Sequence, residues 1–391
     1  MQIVLELPTY WKVGCADHLR NAGTVPRGNG AAGTVPLENP MTIDHDKLNA
    51  FMGKFVTDMG ATAHAATVLT GEKLGLYKAM AKHGPQTSAE MAKNTGYAER
   101  YVREWLNAQA ASGYCEYDPK SKKFHLTPEQ AYALADETSA AYIPGAYHVL
   151  TAIFNDEPKV CEAFKSGKGI GWHEHHHGLF EGTAKFFRPG YAANLVSNWL
   201  PALDGVVPKL EKGAKIADVG CGYGITTVLM GKQYPKSEIV GYDIHAPSIE
   251  AAKKEAKAAG VKNVKFEVAA SKDFPGKDFD LVTFFDCLHD MGDPVGASAH
   301  VHKSLKKDGT WMIVEPFAGD KLEDNINPVG RIYYAASLNV CCPASLSQEV
   351  GMALGAQAGE AKLREVITKG GFKSVKRATE TPFNLILEAR K

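Results

Sequence analysis

The sequence predicts an α/β protein whose second half is a mainly parallel sheet and whose first part is mostly helical. Three observations lead to this prediction. From residue 214 onward, short apolar segments alternate with helical ones, as in a parallel sheet covered by helices on both faces. Residues 48–126 show helical patterns followed by two short β-type runs. The first apolar segment of the second half runs into a glycine-rich turn.

Length and composition narrow the class of protein. The chain has 391 residues, which suits two domains, with 44 basic and 44 acidic side chains. A formal net charge of zero gives no electrostatic reason to expect nucleic acid or an anionic membrane as the main partner. The seven cysteines lack paired spacing, and no apolar run reaches the roughly 18–20 residues of a membrane span. We therefore expect a cytoplasmic protein whose main partner is neither nucleic acid nor a membrane.

Residues 1–40 differ in composition from the rest of the chain. They are rich in Gly, Pro and Asn, and the sequence Gly-Thr-Val-Pro occurs twice, at residues 23–26 and 33–36. Such a composition buries little apolar surface, so this segment is predicted to be a disordered extension. Met41 is an alternative start of the native chain.

Residues 41–137 are predicted to form a winged-helix domain. Helical patterns at residues 73–83, 88–92 and 98–112 precede β-type runs at 114–118 and 123–126. Three helices and a hairpin in this order are typical of winged helices, many of which bind DNA. The third helix carries Glu99, Arg100, Arg103 and Glu104, and such mixed charge is poor for contacting phosphates. DNA binding is therefore not the preferred interpretation.

Residues 138–212 are predicted to be a helical linker, and residues 213–391 a separate domain. Five apolar segments of this domain are predicted to be strands, at residues 215–219, 238–243, 264–268, 281–285 and 310–315. Two further segments, 372–378 and 384–390, are predicted to form an antiparallel pair at the sheet edge. The sheet should therefore contain seven strands.

The glycine-rich turn is predicted to bind a nucleotide cofactor. Gly220, Gly222 and Gly224 follow the first strand of the sheet and precede a helix, where the backbone can approach a ligand closely. Asp243 ends the next strand, where an acidic side chain can accept both ribose hydroxyls. The third glycine of a dinucleotide motif would fall on Ile225. Asp218 could attract a cationic amine, directly or through water; S-adenosylmethionine has such an amine and NAD lacks one.

These residues resemble the first two motifs of class I S-adenosylmethionine-dependent methyltransferases, and the resemblance covers residues 214–390. It implies a Rossmann-like seven-stranded sheet with S-adenosylmethionine as the cofactor. Asp218 and the three glycines would hold the methionine moiety and Asp243 the ribose. The resemblance adds three further candidate cofactor contacts, which are Ile244, Ser271 and Asp286.

The fourth strand of the domain ends beside a candidate general base. Ligands of such sheets bind beyond the carboxyl ends of the strands where strand order reverses, so His289 should lie near the transferred methyl group. The stretch Leu288–Asp290 with Asp293 resembles the His-Asp-Trp-x-Asp motif of small-molecule O-methyltransferases. That resemblance implies His289 as the catalytic base and Glu315 as its support, although Met291 replaces the tryptophan.

A closer resemblance is to bacterial winged-helix methyltransferases of the ubiquinone-biosynthesis-like kind, carried by residues 181–191. It implies that Phe187, Arg188 and Tyr191 line the cofactor or acceptor cavity. It also implies that the N-terminal domain covers the substrate and forms a homodimer.

Several alternatives remain open from the sequence. The preferred function is methylation of a small-molecule hydroxyl, with a C- or N-methyltransferase or a non-catalytic, cofactor-binding transcriptional regulator as the alternatives. His173 and His177 could share a helix face as a metal pair, but no third ligand follows at a recognisable spacing, so no metal site is predicted. The adjacent Cys341 and Cys342 are interpreted as core packing rather than as thiol chemistry.

Overall fold

The computed structural model describes residues 43–391. The predicted extension of residues 1–40 and the alternative start at Met41 lie outside the described residues. Residues 56–391 form one compact unit, and residues 43–55 belong to a separate unit at the N-terminus. No helix of the described part of the chain is long and apolar enough to cross a bilayer.

The first elements follow the predicted order of helices and hairpin. They are α1 (His45–Lys73), α2 (Leu76–His83), α3 (Ser88–Thr95), α4 (Glu99–Ala111), β1 (Glu116–Asp118), β2 (Lys123–His125) and α5 (Pro128–Leu134). Strands β1 and β2 pair antiparallel. Helix α3 begins at a capping box, in which Thr87 and Glu90 satisfy each other's backbone N–H groups. The core between these helices contains Val68, Tyr77, Trp105 and Leu106. The winged-helix prediction is confirmed.

Three helices connect this region to the sheet. They are α6 (Tyr147–Ser166), α7 (Gly178–Asn194) and α8 (Val206–Lys212), with a π-helical turn at Leu195–Trp199. Helices α6 and α7 pack closely where Gly182 faces α6, because a Cβ atom there would lie 2.6 Å from the backbone nitrogen of Val149. The lack of a side chain at Gly182 therefore allows these two helices to form a continuous surface.

The seven predicted strands form one sheet. They are β3 (Lys215–Val219), β4 (Glu238–Asp243), β5 (Val264–Val268), β6 (Phe279–Phe285), β7 (Leu305–Pro316), β8 (Ser374–Glu380) and β9 (Asn384–Arg390). Their spatial order is β5-β4-β3-β6-β7-β9-β8, and only the pairs β7–β9 and β8–β9 are antiparallel. The predicted antiparallel edge pair is confirmed. Strand order reverses between β3 and β6, which marks the expected ligand crevice.

Helices cover both faces of the sheet. They are α9 (Ile225–Gln233), α10 (Ala246–Ala258), α11 (Pro294–Ser304) and α14 (Gly359–Lys369). Two further helices, α12 (Pro328–Ala336) and α13 (Cys342–Leu346), follow the fifth strand of the sheet and pack against the π-helical turn between them. Adjacent strand residues belong to different core clusters, with Ala217 and Val282 in one and Ile216 and Leu281 in the other. Burial on both faces explains why these strands are continuously apolar in sequence. Strand β7 begins at Leu305, before the predicted residue 310, because Leu305 pairs with Phe279 on β6.

Candidate functional site

A cavity of about 1700 Å³ lies over the carboxyl ends of β3, β4 and β6. One side, which we call the sheet wall, consists of Gly220, Gly222, Asp243, Asp286 and His289. A second set of lining residues, which we call the helix wall, comes from α6, α7 and α12 and consists of Leu150, Ile153, Phe180, Phe187, Ile332 and Tyr333. The sheet wall is polar and the helix wall is apolar.

The glycine-rich turn joins β3 to α9 in a conformation that requires glycine. Gly220 has φ of +73°, and a Cβ atom there would lie 2.7 Å from Sγ of Cys287. Gly224 has φ of +76°, and its Cβ atom would lie 2.7 Å from the ring of Phe266. Side chains at either position would be strained and would push the turn away from its neighbours. The Gly222 backbone, by contrast, lines the cavity and leaves open space where a Cβ would stand.

Asp218 lies under the turn and is fully buried, with no exposed surface. Its Oδ2 atom accepts hydrogen bonds from the hydroxyls of Thr226 and Thr227 at 2.7 and 2.6 Å, and its Oδ1 atom accepts one from Thr283 at 3.0 Å. Burial raises the pKa of Asp218 in spite of these three hydrogen bonds. The carboxyl group therefore fixes β3, α9 and β6 to one another and does not line the cavity. Of the two predicted modes, direct contact with the cofactor and contact through water, this position does not suit the direct one.

Asp243 ends β4 with its carboxylate facing the cavity. Its Oδ2 atom accepts a hydrogen bond from the Gly222 backbone N–H at 2.8 Å, and Oδ1 accepts one from the His245 backbone N–H at 2.8 Å. Each oxygen keeps a lone pair for a ligand hydroxyl. The neighbouring candidates Ile244 and Ser271 also line the cavity, and the side chain of Ile244 is exposed.

Asp286 follows β6 directly and has the unusual φ of +49°. Its carboxyl group accepts a hydrogen bond from the Tyr191 hydroxyl at 2.7 Å and one from the Asn384 side-chain amide at 3.1 Å. Burial, together with the negative charge of Glu315, raises the pKa of Asp286 to about 8. Tyr191 and Asp286 were predicted separately, from segments far apart in the chain, and the structure brings them together.

His289 lies in a 3₁₀ turn at Leu288–Asp290, and Glu315 lies near the end of β7. The Nδ1 atom of His289 is 2.5 Å from Oε2 of Glu315, whose Oε1 atom accepts the Leu288 backbone N–H at 2.9 Å. This clamp directs Nε2 away from β7, and Nε2 is 3.1 Å from Oδ1 of Asp290. Burial lowers the pKa of His289, but the charges of Asp290 and Glu315 outweigh burial and raise it well above 6.5.

Two neighbours of His289 were not singled out as site residues from the sequence. Asp290 was quoted only as part of a motif, and Cys341 was interpreted as core packing, yet both line the cavity. Each of the three residues His289, Asp290 and Cys341 has an atom of a type that can coordinate a metal ion, and these atoms lie within 4.8 Å of one another. No spacing in the sequence indicates this, because Cys341 comes from a π-helical turn, Ser337–Cys341, that follows the sheet's fifth strand by more than twenty residues.

The structure does not bring two other predicted features into the site. Arg188 forms an ion pair with Glu255 at 3.3 Å, and both side chains are exposed, whereas Tyr191 on the same helix lines the cavity. His173 lies in a 3₁₀ turn, Trp172–Glu174, and His177 precedes α7, so they do not share a helix face. His175 is instead buried, with Nδ1 3.0 Å from Oδ2 of Asp156.

Residues 210–370 match the family model described as a methyltransferase domain, and residues 62–136 match the one described as an Rv2258c-like winged HTH domain. The chain is 30% identical over 122 residues to the uncharacterized methyltransferase YcgJ of Bacillus subtilis (strain 168). This alignment covers 30% of the chain and 47% of that relative, so the chain spans about half the length of the curated protein that it matches.

Two solved structures share the whole architecture. A putative O-methyltransferase from Nostoc punctiforme PCC 73102 is 20% identical with a TM-score of 0.66, over 87% of this chain and 98% of that one. Human N-acetylserotonin methyltransferase in complex with SAM is 16% identical with a TM-score of 0.63, over 90% of this chain and 99% of the other. At these identities the likeness shows the fold, which is the predicted Rossmann-like one.

The sheet topology, the glycine turn and the family models agree with the predicted fold of the two regions, and the domain boundaries stay a prediction. The chain therefore carries an Rv2258c-like winged helix–turn–helix domain followed by a methyltransferase domain with a Rossmann-like, seven-stranded sheet.

Proposed function

We propose that this protein is an S-adenosylmethionine-dependent O-methyltransferase that methylates a hydroxyl of a small, uncharged, largely apolar compound. The observation that supports this most is the position of His289. Glu315 holds its Nδ1 atom, and His289 lines the same cavity as the glycine turn and Asp243. A fixed proton acceptor beside a nucleotide-type turn is the minimum that hydroxyl methylation requires.

The residues of the sheet wall fit S-adenosylmethionine. The open backbone at Gly222 leaves room for a close ligand, and each Asp243 oxygen keeps a lone pair for a ribose hydroxyl. Ile244 and Ser271 lie beside Asp243 where the adenine would be held. The cofactor supplies an electrophilic methyl group on a sulfonium. The solved methyltransferases are 16–20% identical to this chain, so they support the proposal through their fold alone.

The size and chemistry of the cavity indicate the acceptor. Its volume of about 1700 Å³ exceeds the roughly 300–1,000 Å³ typical of a pocket for one ligand, so a cofactor and an acceptor fit side by side. Among the described lining residues, the one lysine, Lys272, and the one arginine, Arg331, are paired with Glu349 and Asp58. No lysine or arginine of this lining is therefore free to compensate an anionic acceptor, and the helix wall is apolar. An uncharged apolar compound is therefore the best match.

The chain's own residues would act on the acceptor hydroxyl as follows. A phenolic hydroxyl with a pKa of about 10 is a poor nucleophile until it loses its proton. His289 in its neutral form accepts that proton at Nε2, while Glu315 holds Nδ1–H and stabilises the resulting imidazolium. The helix wall excludes water, which favours a reaction in which phenolate and sulfonium charges cancel.

The charges on α4 bear on the alternative that the protein is a transcriptional regulator. Arg100 pairs with Glu104 and Arg103 with Glu99, so these arginines are not free to contact DNA phosphates, which argues against a transcriptional regulator. Methylation of a carbon or nitrogen atom would use the same cavity, and analysis of the product distinguishes it. A cytoplasmic location and a homodimer formed through the N-terminal domain remain predictions.

The test uses methyl-labelled S-adenosylmethionine, purified protein and fractions of host-cell extract, with wild type and the His289→Ala variant in parallel. We expect label in a small-molecule fraction that organic solvent extracts, with wild type only. Cofactor binding without transfer to small molecules, protein or nucleic acid would contradict an enzymatic function and favour the regulator.

A further inference from the structure

The proposed cofactor carries a positively charged amine on its methionine moiety, and a charge of this kind requires a partner in a largely buried site. Sequence reasoning assigned that partner to Asp218. In the structure Oδ2 of Asp218 accepts two threonine hydroxyls and Oδ1 accepts a third, and the residue has no exposed surface. We therefore looked for another carboxylate of the cavity that could receive the amine.

The other carboxylates that line the cavity already have a cationic side chain, a histidine or a backbone N–H group as their partner. Asp58 pairs with Arg331, Glu349 pairs with Lys272, Asp290 faces His289, Asp293 accepts the backbone N–H of Gly296 at the start of α11, and Asp243 accepts two backbone N–H groups at the end of β4. Among the described carboxylates of the lining, only Asp286 contacts neither a cation-forming side chain nor a backbone N–H through its oxygens.

Asp286 also lies at the correct end of the cavity. Strand β6 pairs in parallel with β3, with Phe284 opposite Val219, so the residues that follow both strands meet at the point where strand order reverses. The thiol of Cys287, the neighbour of Asp286, donates to the backbone carbonyl of Val219 at 3.4 Å, directly before the glycine turn. A methionine moiety held against the glycine turn would therefore extend toward Asp286, whereas Asp243 marks the ribose end.

The surroundings of Asp286 leave room for a further donor. Each oxygen has a principal hydrogen bond from a neutral group, the Tyr191 hydroxyl or the Asn384 amide, and a carboxylate oxygen can accept more than one. Tyr191 and Asn384 thus orient the carboxylate without neutralising it. We propose that Asp286, rather than Asp218, receives the cationic amine of the cofactor's methionine moiety. This inference rests on the proposed function.

Binding of the amine should be coupled to release of a proton. Burial and the charge of Glu315 raise the pKa of Asp286 to about 8 in the cofactor-free protein, so the group is mostly protonated at pH 7. A cationic amine favours the ionised form, so the proton leaves when the ligand binds. The titratable groups that face Asp286 are Tyr191 on α7, Glu315 on β7, His289 and Asp290 in the 3₁₀ turn, and Tyr333 on α12.

Two ligands that differ in the amino-acid group provide the test. S-Adenosylhomocysteine carries the amine and the carboxylate of this group, whereas 5′-methylthioadenosine has the same nucleoside and sulfur without either. Calorimetric titration of both into wild type, Asp286→Asn and the control Asp204→Asn, at an exposed carboxylate that pairs with Lys376, should show whether Asp286 contributes to binding of the amino-acid group. Titration at pH 7 in two buffers of different ionisation enthalpy counts the protons released.

We expect Asp286→Asn to weaken S-adenosylhomocysteine about 10- to 100-fold and 5′-methylthioadenosine less than about 3-fold. Asp204→Asn should change neither, because Asp204 does not line the cavity. Proton release should accompany S-adenosylhomocysteine only, and should disappear in Asp286→Asn. Equal weakening of both ligands, or of neither, would overturn the inference.

If Asp286→Asn does not fold, Tyr191→Phe decides the question. This variant removes a hydrogen bond that stabilises the ionised carboxylate, so the preference for S-adenosylhomocysteine over 5′-methylthioadenosine should fall several-fold. An unchanged preference would overturn the inference. Failure of wild type to bind either nucleoside would instead contradict the proposed function.

Discussion

The two walls of the cavity are built in different ways. The sheet wall places polar groups at the ends of strands, and hydrogen bonds fix them, as Gly222 and His245 fix Asp243. The helix wall presents apolar side chains such as Ile153 and Phe187 from helices distant in sequence. In our account the sheet wall determines the cofactor and the chemistry, and the helix wall determines the acceptor. The two functions should therefore be separable by mutation.

The largest effect is expected from His289→Ala on the sheet wall. Loss of the general base should lower kcat by about 10²–10⁴-fold, because the acceptor hydroxyl would have to lose its proton to water. The affinity for S-adenosylmethionine should stay within a few-fold of wild type, measured by calorimetry alongside steady-state kinetics. Full activity in this variant would remove the general-base role from His289.

Asp243→Ala should weaken S-adenosylmethionine binding by about 100-fold or more. The change removes the proposed acceptor of the ribose hydroxyls and also the partner of the Gly222 backbone N–H, so the glycine turn loses a support. Asp204→Ala, at an exposed carboxylate that pairs with Lys376, serves as a control for the loss of a charge. Unchanged affinity in Asp243→Ala would refute the ribose assignment.

The pH profile tests the electrostatics behind His289. The carboxylates of Asp290 and Glu315 hold the pKa of His289 well above 6.5, and only the neutral form accepts a proton, so kcat should rise about tenfold per pH unit until it levels above that pKa. Glu315→Gln removes a negative charge and should move the profile to lower pH. A profile that does not move would show that Glu315 does not tune His289.

The raised pKa of His289 also affects the free energy of unfolding. Because the folded-state pKa of His289 is raised above its unfolded value, the protonated form favours the folded state. This contribution is fully present below about pH 6.5 and is lost as the pH rises through the folded-state pKa. Catalysis and stability should thus respond to pH in opposite directions.

On the helix wall, Ile153→Ala should raise KM for an apolar acceptor roughly 10-fold while the affinity for S-adenosylmethionine stays the same. The variant removes buried apolar surface from the acceptor side of the cavity. The matched control is Phe154→Ala on the same helix, because that side chain is 62% exposed and does not line the cavity. Equal changes in cofactor and acceptor affinity would mean that the two walls do not have separate roles.

The smallest effect is expected in the winged-helix domain. Replacing Arg100 and Arg103 together by Ala should leave methyl transfer unchanged, since both arginines pair with glutamates on the same helix. Duplex DNA should bind weakly to wild type and variant alike, as measured by fluorescence anisotropy at two salt concentrations. Tight, salt-dependent binding that the variant loses would favour the regulator.

The sheet wall was largely predictable from the sequence, because strand periodicity and glycine spacing are local signals. The turn at Gly220–Gly224 and the ends of β4 and β6 were found in this way. The sequence did not reveal the tertiary contacts of these residues. Nothing local indicates that Thr226, Thr227 and Thr283 enclose Asp218, or that Asn384 contacts Asp286 from 98 residues away. The orientation of α7, which turns Tyr191 inward and Arg188 outward, is equally a result of packing.

The division between the two walls is tested most directly by a crystal structure of the protein with S-adenosylhomocysteine. We predict the ribose hydroxyls within hydrogen-bond distance of Asp243, the amine at Asp286, and the sulfur facing Nε2 of His289 across a space bounded by the helix wall. A nucleoside bound against the helix wall, or one that leaves Asp243 without a ligand contact, would contradict the account.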